Sequence, residues 1–100
     1  MIVNKCERKL HLMEKYFEYI IYDNNIDDVI EFCKEDEDIR FLLGDGTSDP
    51  SYLINGGSKG TLINGDYIMR NVFYDTIIIS KCDFMNMYED VDEFDIYKER

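Results

Sequence analysis

The segment Gly65–Ser80, GDYIMRNVFYDTIIIS, constrains the fold more than any other part of the sequence. It is rich in β-branched and aromatic residues, which fit a pleated, half-buried surface. Asn71 separates two such runs, Tyr67–Arg70 and Val72–Ser80, so the segment predicts a β-hairpin. Apolar residues fall on both faces of the second run, which predicts a strand that is covered on both sides near its C-terminal end.

The residues before the hairpin predict one strand, one helix and one ambiguous run. Tyr16–Tyr22 is typical of a strand, and Ile26–Glu35 of an amphipathic helix with apolar residues at i, i+3, i+4 and i+7. Asn24 or Asn25 can accept a hydrogen bond from a free N–H at the helix start. The predicted core face is Ile26, Val29, Ile30 and Cys33. Ile39–Leu43 is compatible with a short strand or a helix extension.

Two short strands, Ser51–Asn55 and Gly60–Asn64, are predicted on either side of Gly56–Lys59. The sequence GGSKG lacks the residue order of a phosphate-binding loop and has strands at both ends, so a hairpin turn is the better interpretation. After the central hairpin, helical spacing of apolar residues predicts a short helix over Asp83–Val91, with Asp83 as its N-cap. We therefore predict an α+β domain, in which two helices pack on one antiparallel sheet of about four to five strands.

One hundred residues correspond to a single domain. Residues 1–15 carry a net positive charge and are compatible with a mobile arm, a first strand or a short helix. Charged residues from Lys5 onwards precede any apolar stretch, which predicts no signal peptide. The longest aliphatic run, Ile77–Ile79, is too short to span a bilayer. The odd number of widely spaced cysteines favours reduced thiols, so we expect a cytoplasmic protein. The acidic tail that includes residues 96–100 is compatible with disorder or with docking on a partner.

The charge balance limits the classes of partner. With 11 Lys and Arg residues against 22 Asp and Glu residues, the formal net charge is −11. Direct binding to nucleic acid requires cations that neutralise phosphates, and an anionic membrane surface has the same requirement. Both partners are therefore disfavoured, and a basic protein, a cationic groove or a cation is favoured.

The sequence offers little with which to build a catalytic or metal site. Three widely spaced cysteines, Cys6, Cys33 and Cys82, form no C-x-x-C pair and are expected to be reduced thiols. His11 has no nearby ligand partner, and Asp45 and Asp49 lie in a loop that lacks the order of a calcium-binding loop. We expect no enzyme, because no set of spaced carboxylate and histidine residues is present, and we expect no cofactor and no metal.

Two acidic clusters are the candidate partner-binding residues. In the first, carboxylates at i, i+4 and i+8 of the predicted helix continue into the run EDED at its end, where the helix dipole disfavours negative charge. The second cluster lies in the C-terminal tail. The candidates are Asp27, Glu31, Glu35, Asp36, Glu37 and Asp38 in the first cluster, and Glu89, Asp90, Asp92, Glu93 and Asp95 in the second. The alternative explanation is solvated surface charge that keeps the protein soluble.

Three stretches occur together in an order that is similar to a known group of proteins. They are EYIIYDNNIDDVIEFC at Glu18–Cys33, GDYI at Gly65–Ile68, and Phe84 followed by Tyr88-Glu89. This pattern resembles small bacteriophage and prophage accessory proteins with a GDYI or GDWI hairpin and an F-x-x-x-Y-E helix. The resemblance covers about eighty residues and implies a phage or prophage origin, without catalytic residues to carry over. The chain departs from the pattern after GDYI, where Asn71-Val72 replaces a Gly-containing turn.

These features lead to one principal functional hypothesis and two alternatives. The principal hypothesis is a non-enzymatic inhibitor whose carboxylates imitate nucleic acid and bind a basic host defence protein, such as a CRISPR nuclease. Carboxylates one helical turn apart are separated by about 6 Å, which is comparable to the phosphate spacing of about 3.4 Å along a DNA strand. The first alternative is a protein that sequesters a signalling nucleotide, for which only Lys59 and Arg70 lie near the predicted turns. The second is a phage domain whose charge has no specific role.

Overall fold

The computed structural model describes residues 1–10, 15–44 and 50–93, and these residues form ten short elements. In chain order they are β1 (Asn4–Arg8), β2 (Tyr16–Ile21), α1 (Ile26–Phe32), β3 (Ile39–Leu42), β4 (Tyr52–Asn55), β5 (Ser58–Thr61), β6 (Tyr67–Arg70), β7 (Thr76–Ile79), α2 (Lys81–Met87) and β8 (Tyr88–Val91).

The strands form two antiparallel sheets. The larger sheet has five strands in the order β7-β6-β2-β1-β8, and the smaller has three in the order β3-β4-β5. The predicted α+β class, the antiparallel pairing and the two helices are confirmed. The prediction of a single sheet is wrong, because β4 pairs with its sequence neighbours β3 and β5 and does not join the larger sheet. Alternating apolar residues identify a strand but do not specify its pairing partner.

Of the three alternatives for residues 1–15, a mobile arm, a first strand or a short helix, the structure shows a strand, β1, over Asn4–Arg8. Residues Asn4–Arg8 lie inside the larger sheet, where they pair with β2 on one side and β8 on the other. The strand was hard to recognise because Cys6 is its only fully buried residue. Its charged residues are accommodated by cross-strand neighbours, since Lys5 lies opposite Glu18 and the Lys15 ammonium lies 3.7 Å from the Glu7 carboxylate.

The two helices contribute to separate cores, one on each face of the larger sheet. Val29, Phe32 and Cys33, from α1 and the residue after it, pack with Ile20 and Ile68. Leu53 and Leu62 from the smaller sheet region complete this first core. On the opposite face, Phe84 of α2 packs among aromatic and sulfur-containing side chains of the sheet. These are Cys6, Phe17, Tyr19, Tyr67, Met69 and Tyr88.

Residues of the central hairpin pack on both faces of the larger sheet, as predicted for the C-terminal end of its second run. Ile68 belongs to the first core, while its neighbours Tyr67 and Met69 belong to the second. On β7, Ile78 packs against the first core and Ile79 against the second. The predicted strand over Val72–Ser80 is nevertheless too long, because only Thr76–Ile79 is extended and paired with β6.

Helix α1 is shorter than predicted. It ends at Phe32 and not at Glu35, and the N–H of Cys33 makes the last helical bond, to the carbonyl of Val29 at 3.0 Å. Negative charge at a helix C-terminus is unfavourable, and no basic residue lies in the last turn to offset it. Phe32 is buried and Ile30 is exposed, which reverses the predicted pattern at these positions.

Helix α1 begins at the predicted residue, Ile26, but the predicted side-chain hydrogen bond at its N-terminus is not formed. Asn25 is the N-cap residue, yet its side chain makes no bond to the helix. Its Oδ1 atom accepts a hydrogen bond from the N–H of Asp23, and its amide group donates to the carbonyl of Ile21. Asn25 therefore stabilises the turn that leads out of β2.

Helix α2 and β8 together replace the single helix predicted over Asp83–Val91. The N-cap is Ser80 and not Asp83 as predicted. The Ser80 hydroxyl oxygen accepts a hydrogen bond from the N–H of Asp83. The helix ends at Met87, and Tyr88–Val91 pairs with β1 as an edge strand. The open edge of β1 competes successfully with helical continuation, because the strand conformation places the Tyr88 ring against Phe17 and Phe84.

In the smaller sheet, β4 and β5 are joined by the two-residue turn Gly56-Gly57, and Asn55 pairs directly with Ser58. Gly56 has a φ of +60°, which explains why a residue without Cβ stands there. The predicted turn, Gly56–Lys59, was two residues too long because Ser58 and Lys59 belong to β5. A hairpin and not a phosphate-binding loop is therefore present.

Candidate functional site

The run Glu35–Asp38, called the acidic segment below, connects α1 to β3. Asp36 is half-buried, and one of its carboxylate oxygens accepts a hydrogen bond from the N–H of Thr76 at 2.9 Å. The other oxygen accepts from the N–H of Asp38 at 3.1 Å. Asp36 therefore attaches the segment to the start of β7, while Glu35, Glu37 and Asp38 remain exposed.

Backbone hydrogen bonds also order the acidic segment. The N–H of Asp36 donates to the carbonyl of Cys33 at 3.0 Å, and the N–H of Ile39 donates to the carbonyl of Asp36 at 3.2 Å. The three exposed carboxylates thus extend from a chain segment whose backbone is fixed at both ends. A fixed array of like charges can bind cations with less loss of conformational entropy than a mobile one.

The carboxylates of α1 do not form the predicted i, i+4, i+8 array. Asp27 and Glu31 are exposed on the helix, but Glu35 follows the helix and lies outside it. Glu31 is also paired, because its Oε1 atom accepts a hydrogen bond from the Lys34 ammonium at 2.7 Å. This hydrogen bond raises the pKa of Lys34 above its usual value.

The C-terminal acidic cluster is divided between different environments. Glu89 and Asp90 are adjacent on β8, so their side chains point to opposite faces of the sheet. Asp90 accepts a hydrogen bond from the Tyr19 hydroxyl, whereas Glu89 lies opposite Glu7 of β1. Asp92 and Glu93 are exposed, and Asp95 lies outside the described residues, as do residues 96–100.

Burial of Tyr19 and its hydrogen bond to Asp90 raise the pKa of the Tyr19 hydroxyl well above its usual value. The Asp90 carboxylate is thereby committed to a contact within the protein. Of the predicted site residues that the structure describes, Asp36 and Asp90 thus accept hydrogen bonds from other elements of the protein. In the acidic segment, three exposed carboxylates, those of Glu35, Glu37 and Asp38, lie within four residues of a chain segment that Asp36 holds in place.

A hydrophobic loop precedes β7. The sequence predicts a strand at these residues, so the loop was not expected. It consists of Val72, Phe73 and Tyr74, which are 63%, 75% and 46% exposed. We call these three residues the aromatic loop. The loop is connected to the acidic segment through Thr76, because the N–H of Thr76 is bound by Asp36.

The aromatic loop is held by Asn71, which is buried. The Oδ1 atom of Asn71 accepts hydrogen bonds from the N–H groups of Phe73 at 2.8 Å and Asp75 at 3.0 Å. The Asn71 backbone bonds to the Asp75 carbonyl and to the N–H of Tyr74. The sequence feature that could have indicated this loop is Asn71 followed four residues later by Asp75, because Asn and Asp side chains often close turns.

Arg70 links the loop to the rest of this region. Its guanidinium donates hydrogen bonds to the Glu18 carboxylate and, at 3.0 Å, to the carbonyl of Phe32 at the end of α1. The same group lies 4.2 Å from the centre of the Phe32 ring and 5.5 Å from that of Tyr74. Arg70 therefore stabilises the arrangement in which the end of α1 and the aromatic loop are neighbours.

Two grooves among the described residues have linings without basic side chains. A groove of about 270 Å³ lies between the β4–β5 hairpin and β7, and a groove of about 540 Å³ lies beside the N-terminal residues. Neither is lined by Lys or Arg. Lys59 instead lies over the Tyr52 ring at 4.1 Å, and Arg70 is engaged as described. The lining residues give no support to a nucleotide-binding site.

The reactive side chains in the described part of the chain are separated or buried. Cys6 and Cys33 are buried free thiols and Cys82 is an exposed one. Burial raises the pKa of the Cys6 thiol to about 12 and that of Cys33 to about 11. Within residues 1–10, 15–44 and 50–93, no group of three His, Cys, Asp or Glu side chains is arranged to hold a metal. His11, Asp45 and Asp49 lie outside these ranges.

None of the helices in these ranges has the length and apolar character required to cross a membrane. Comparisons with protein-family models, with curated proteins and with solved structures found no match to this chain. The fold and the surface describe an acidic α+β domain with an acidic segment held by Asp36 and an exposed aromatic loop that precedes β7.

Proposed function

We propose that this chain is a non-enzymatic, phage-encoded inhibitor that acts in the bacterial cytoplasm. Its acidic segment binds the cationic groove of a host nucleic-acid-binding defence protein, such as a CRISPR nuclease, and imitates the phosphates that the groove normally holds. The observation that carries the proposal is the fixed position of Glu35, Glu37 and Asp38, whose backbone is held by the two hydrogen bonds of Asp36.

Physical arguments support binding of this kind. Consecutive Cα atoms are about 3.8 Å apart, so carboxylates on neighbouring residues are spaced on the scale of the phosphates of one nucleic-acid strand. The net charge of −11 would accelerate association with a cationic protein and make it sensitive to salt. The phage origin rests on the resemblance of Glu18–Cys33, Gly65–Ile68 and the Phe84 region to phage accessory proteins.

The experiment compares the wild-type protein with a variant in which the acidic segment is neutral. The variant carries Glu35→Gln, Glu37→Gln and Asp38→Asn, and the matched control carries Asp27→Asn, Asp92→Asn and Glu93→Gln, which remove equal charge from other exposed positions. Each protein is immobilised and exposed to bacterial lysate at about 50 mM and about 200 mM salt, and captured proteins are identified by mass spectrometry.

We expect the wild type and the control to capture Lys- and Arg-rich nucleic-acid-binding proteins at low salt and to release them when DNA is added. The acidic-segment variant should capture much less, because three of the charges that face the groove are missing. Equal capture by all three proteins, or capture that DNA does not reduce, would contradict the proposed function.

A further inference from the structure

The aromatic loop has the properties of a binding anchor and no role in the core of this protein. Val72, Phe73 and Tyr74 are large apolar residues in a row, and all three are exposed. Large exposed apolar patches on a protein surface commonly mark interaction sites, and aromatic residues contribute much of the binding energy in such sites. Tyr74 is partly covered, with the Arg70 guanidinium 5.5 Å from the centre of its ring, whereas Val72 and Phe73 are the more exposed residues of the loop.

The loop is also ordered before any partner arrives. Asn71 fixes its backbone with two side-chain and two backbone hydrogen bonds. Tyr74 has a φ of +64°, a left-handed conformation that is unfavourable for a bulky side chain and that Gly or Asn adopts more easily. An anchor that is ordered in advance loses little conformational entropy on binding, which increases affinity.

Charge next to the loop indicates the chemistry of the partner. Asp36 of the acidic segment binds the N–H of Thr76, two residues after Tyr74, so the exposed residues Glu35, Glu37 and Asp38 belong to a segment that is hydrogen-bonded to the chain just after the aromatic loop. A second copy of this chain would bring two such acidic segments together, and an anionic membrane would be repelled by them. A cationic protein surface is the one occupant for which both the apolar and the charged part are complementary.

We propose that the aromatic loop inserts into an apolar pocket on the partner protein, and that Lys and Arg residues at the rim of that pocket bind the acidic segment. This inference rests on the proposed function for the identity of the cationic surface and adds a second kind of contact to it. Charge then determines the rate and the salt dependence of association, while Phe73 and its neighbours determine how long the complex lasts.

A displayed library of random peptides provides a defined probe that does not depend on knowing the natural partner. The library is selected against the wild-type protein, and the enriched peptides are measured against Phe73→Ser, against the acidic-segment variant and against Ile63→Ser. Ile63 is a matched control because it is 60% exposed and lies in a different turn. Urea unfolding verifies that Phe73→Ser retains its fold.

We expect enriched peptides to combine an aromatic or aliphatic residue with flanking Lys or Arg. Phe73→Ser should weaken their binding at least about tenfold and Ile63→Ser should not. Binding that depends on the acidic segment but not on Phe73 would overturn this inference and leave the proposed function intact. Three other results would also overturn it. They are binding that depends on Phe73 without any preference for Lys or Arg, a selection that enriches no peptide, and a dimer of this chain that Phe73→Ser dissociates.

Discussion

At the scale of single residues, the carboxylates of this chain are not equivalent. Asp36 and Asp90 accept hydrogen bonds from Thr76 and Tyr19, while Glu37 and Asp38 extend into solvent. Composition and spacing place all of these carboxylates in acidic clusters. They cannot separate the hydrogen-bonded carboxylates from the solvent-exposed ones, because the hydrogen-bond donors are distant in sequence. The N–H of Thr76 is forty residues from Asp36. Burial and long-range pairing therefore decide which acids are available to a partner.

Asp36 provides a direct test of this distinction. Asp36→Ala leaves the buried N–H of Thr76 without an acceptor, so we expect the free energy of unfolding to fall by about 2 kcal/mol. Glu37→Ala, one residue away and exposed, should change it by less than about 0.5 kcal/mol. Both values come from urea unfolding at neutral pH. Equal effects of the two substitutions would show that Asp36 is not structural.

The buried thiols predict how stability depends on pH. The folded protein keeps Cys6 and Cys33 protonated up to pKa values of about 12 and about 11, whereas a thiol in the unfolded chain ionises near 9.0. Unfolding therefore releases protons at alkaline pH, so stability is complete below pH 9 and declines above it. We expect each thiol to lower the free energy of unfolding by about 1.4 kcal/mol at about pH 10.

Urea unfolding in the presence of a reductant, from about pH 8 to about pH 10, measures this decline. Cys6→Ala should remove part of the pH dependence, and Cys82→Ser should leave it unchanged, because Cys82 is exposed. The prediction fails if the midpoints for the wild type and Cys6→Ala change in parallel over this range.

At the scale of elements, the strongly apolar parts of the fold were predictable and their ends and partners were not. Tyr16–Ile21 and Tyr67–Arg70 match the predicted strands closely, since both are rich in aromatic and aliphatic residues. Strand β1 has few apolar residues, so the sequence left a strand as one of three alternatives for residues 1–15. Strand β8 was predicted to be helical because Phe84, Met87, Tyr88 and Val91 have helical spacing. In both cases pairing across the sheet decided the conformation, and local sequence carries little information about that pairing.

The candidate site was predictable only in part for the same reason. The acidic segment is visible in the sequence as EDED, although its connection to β7 is not. The aromatic loop resembles a strand in composition, and its turn depends on a buried Asn71 side chain. A pattern of apolar residues cannot distinguish a loop of this kind from a strand. The loop is closed by the Asn71 side chain, which accepts hydrogen bonds from backbone N–H groups, and the apolar pattern carries no information about that contact.

Substitutions at the start of α2 can distinguish the observed N-cap, Ser80, from the predicted one, Asp83. Ser80→Ala removes the oxygen that accepts from the N–H of Asp83, so we expect a loss of about 1 kcal/mol in the free energy of unfolding. Asp83→Ala removes only a favourable charge in the first helical turn and should cost about 0.5 kcal/mol. Thermal or urea unfolding gives both values. A larger loss for Asp83→Ala than for Ser80→Ala would contradict the assignment.

At the scale of the whole molecule, the two cores are separate from the proposed binding surface. The larger sheet supports one core on each face, and Arg70 connects the end of α1 to the hairpin that carries the aromatic loop. The acidic segment and the aromatic loop are both connections between elements, positioned by this framework through Asp36 and Asn71. Substitutions on the surface should therefore change binding without changing stability, which makes the proposed function accessible to mutation.

The central claim is that the acidic segment occupies a groove that otherwise holds nucleic acid. The most direct measurement is displacement of a fluorescent DNA duplex from a purified protein that the wild-type chain captures. We predict that the wild type and the Asp27→Asn, Asp92→Asn, Glu93→Gln control displace the DNA, and that the Glu35→Gln, Glu37→Gln, Asp38→Asn variant requires at least about tenfold higher concentration. A complex in which the captured protein binds this chain and DNA at the same time, without loss of affinity for either, would contradict the claim.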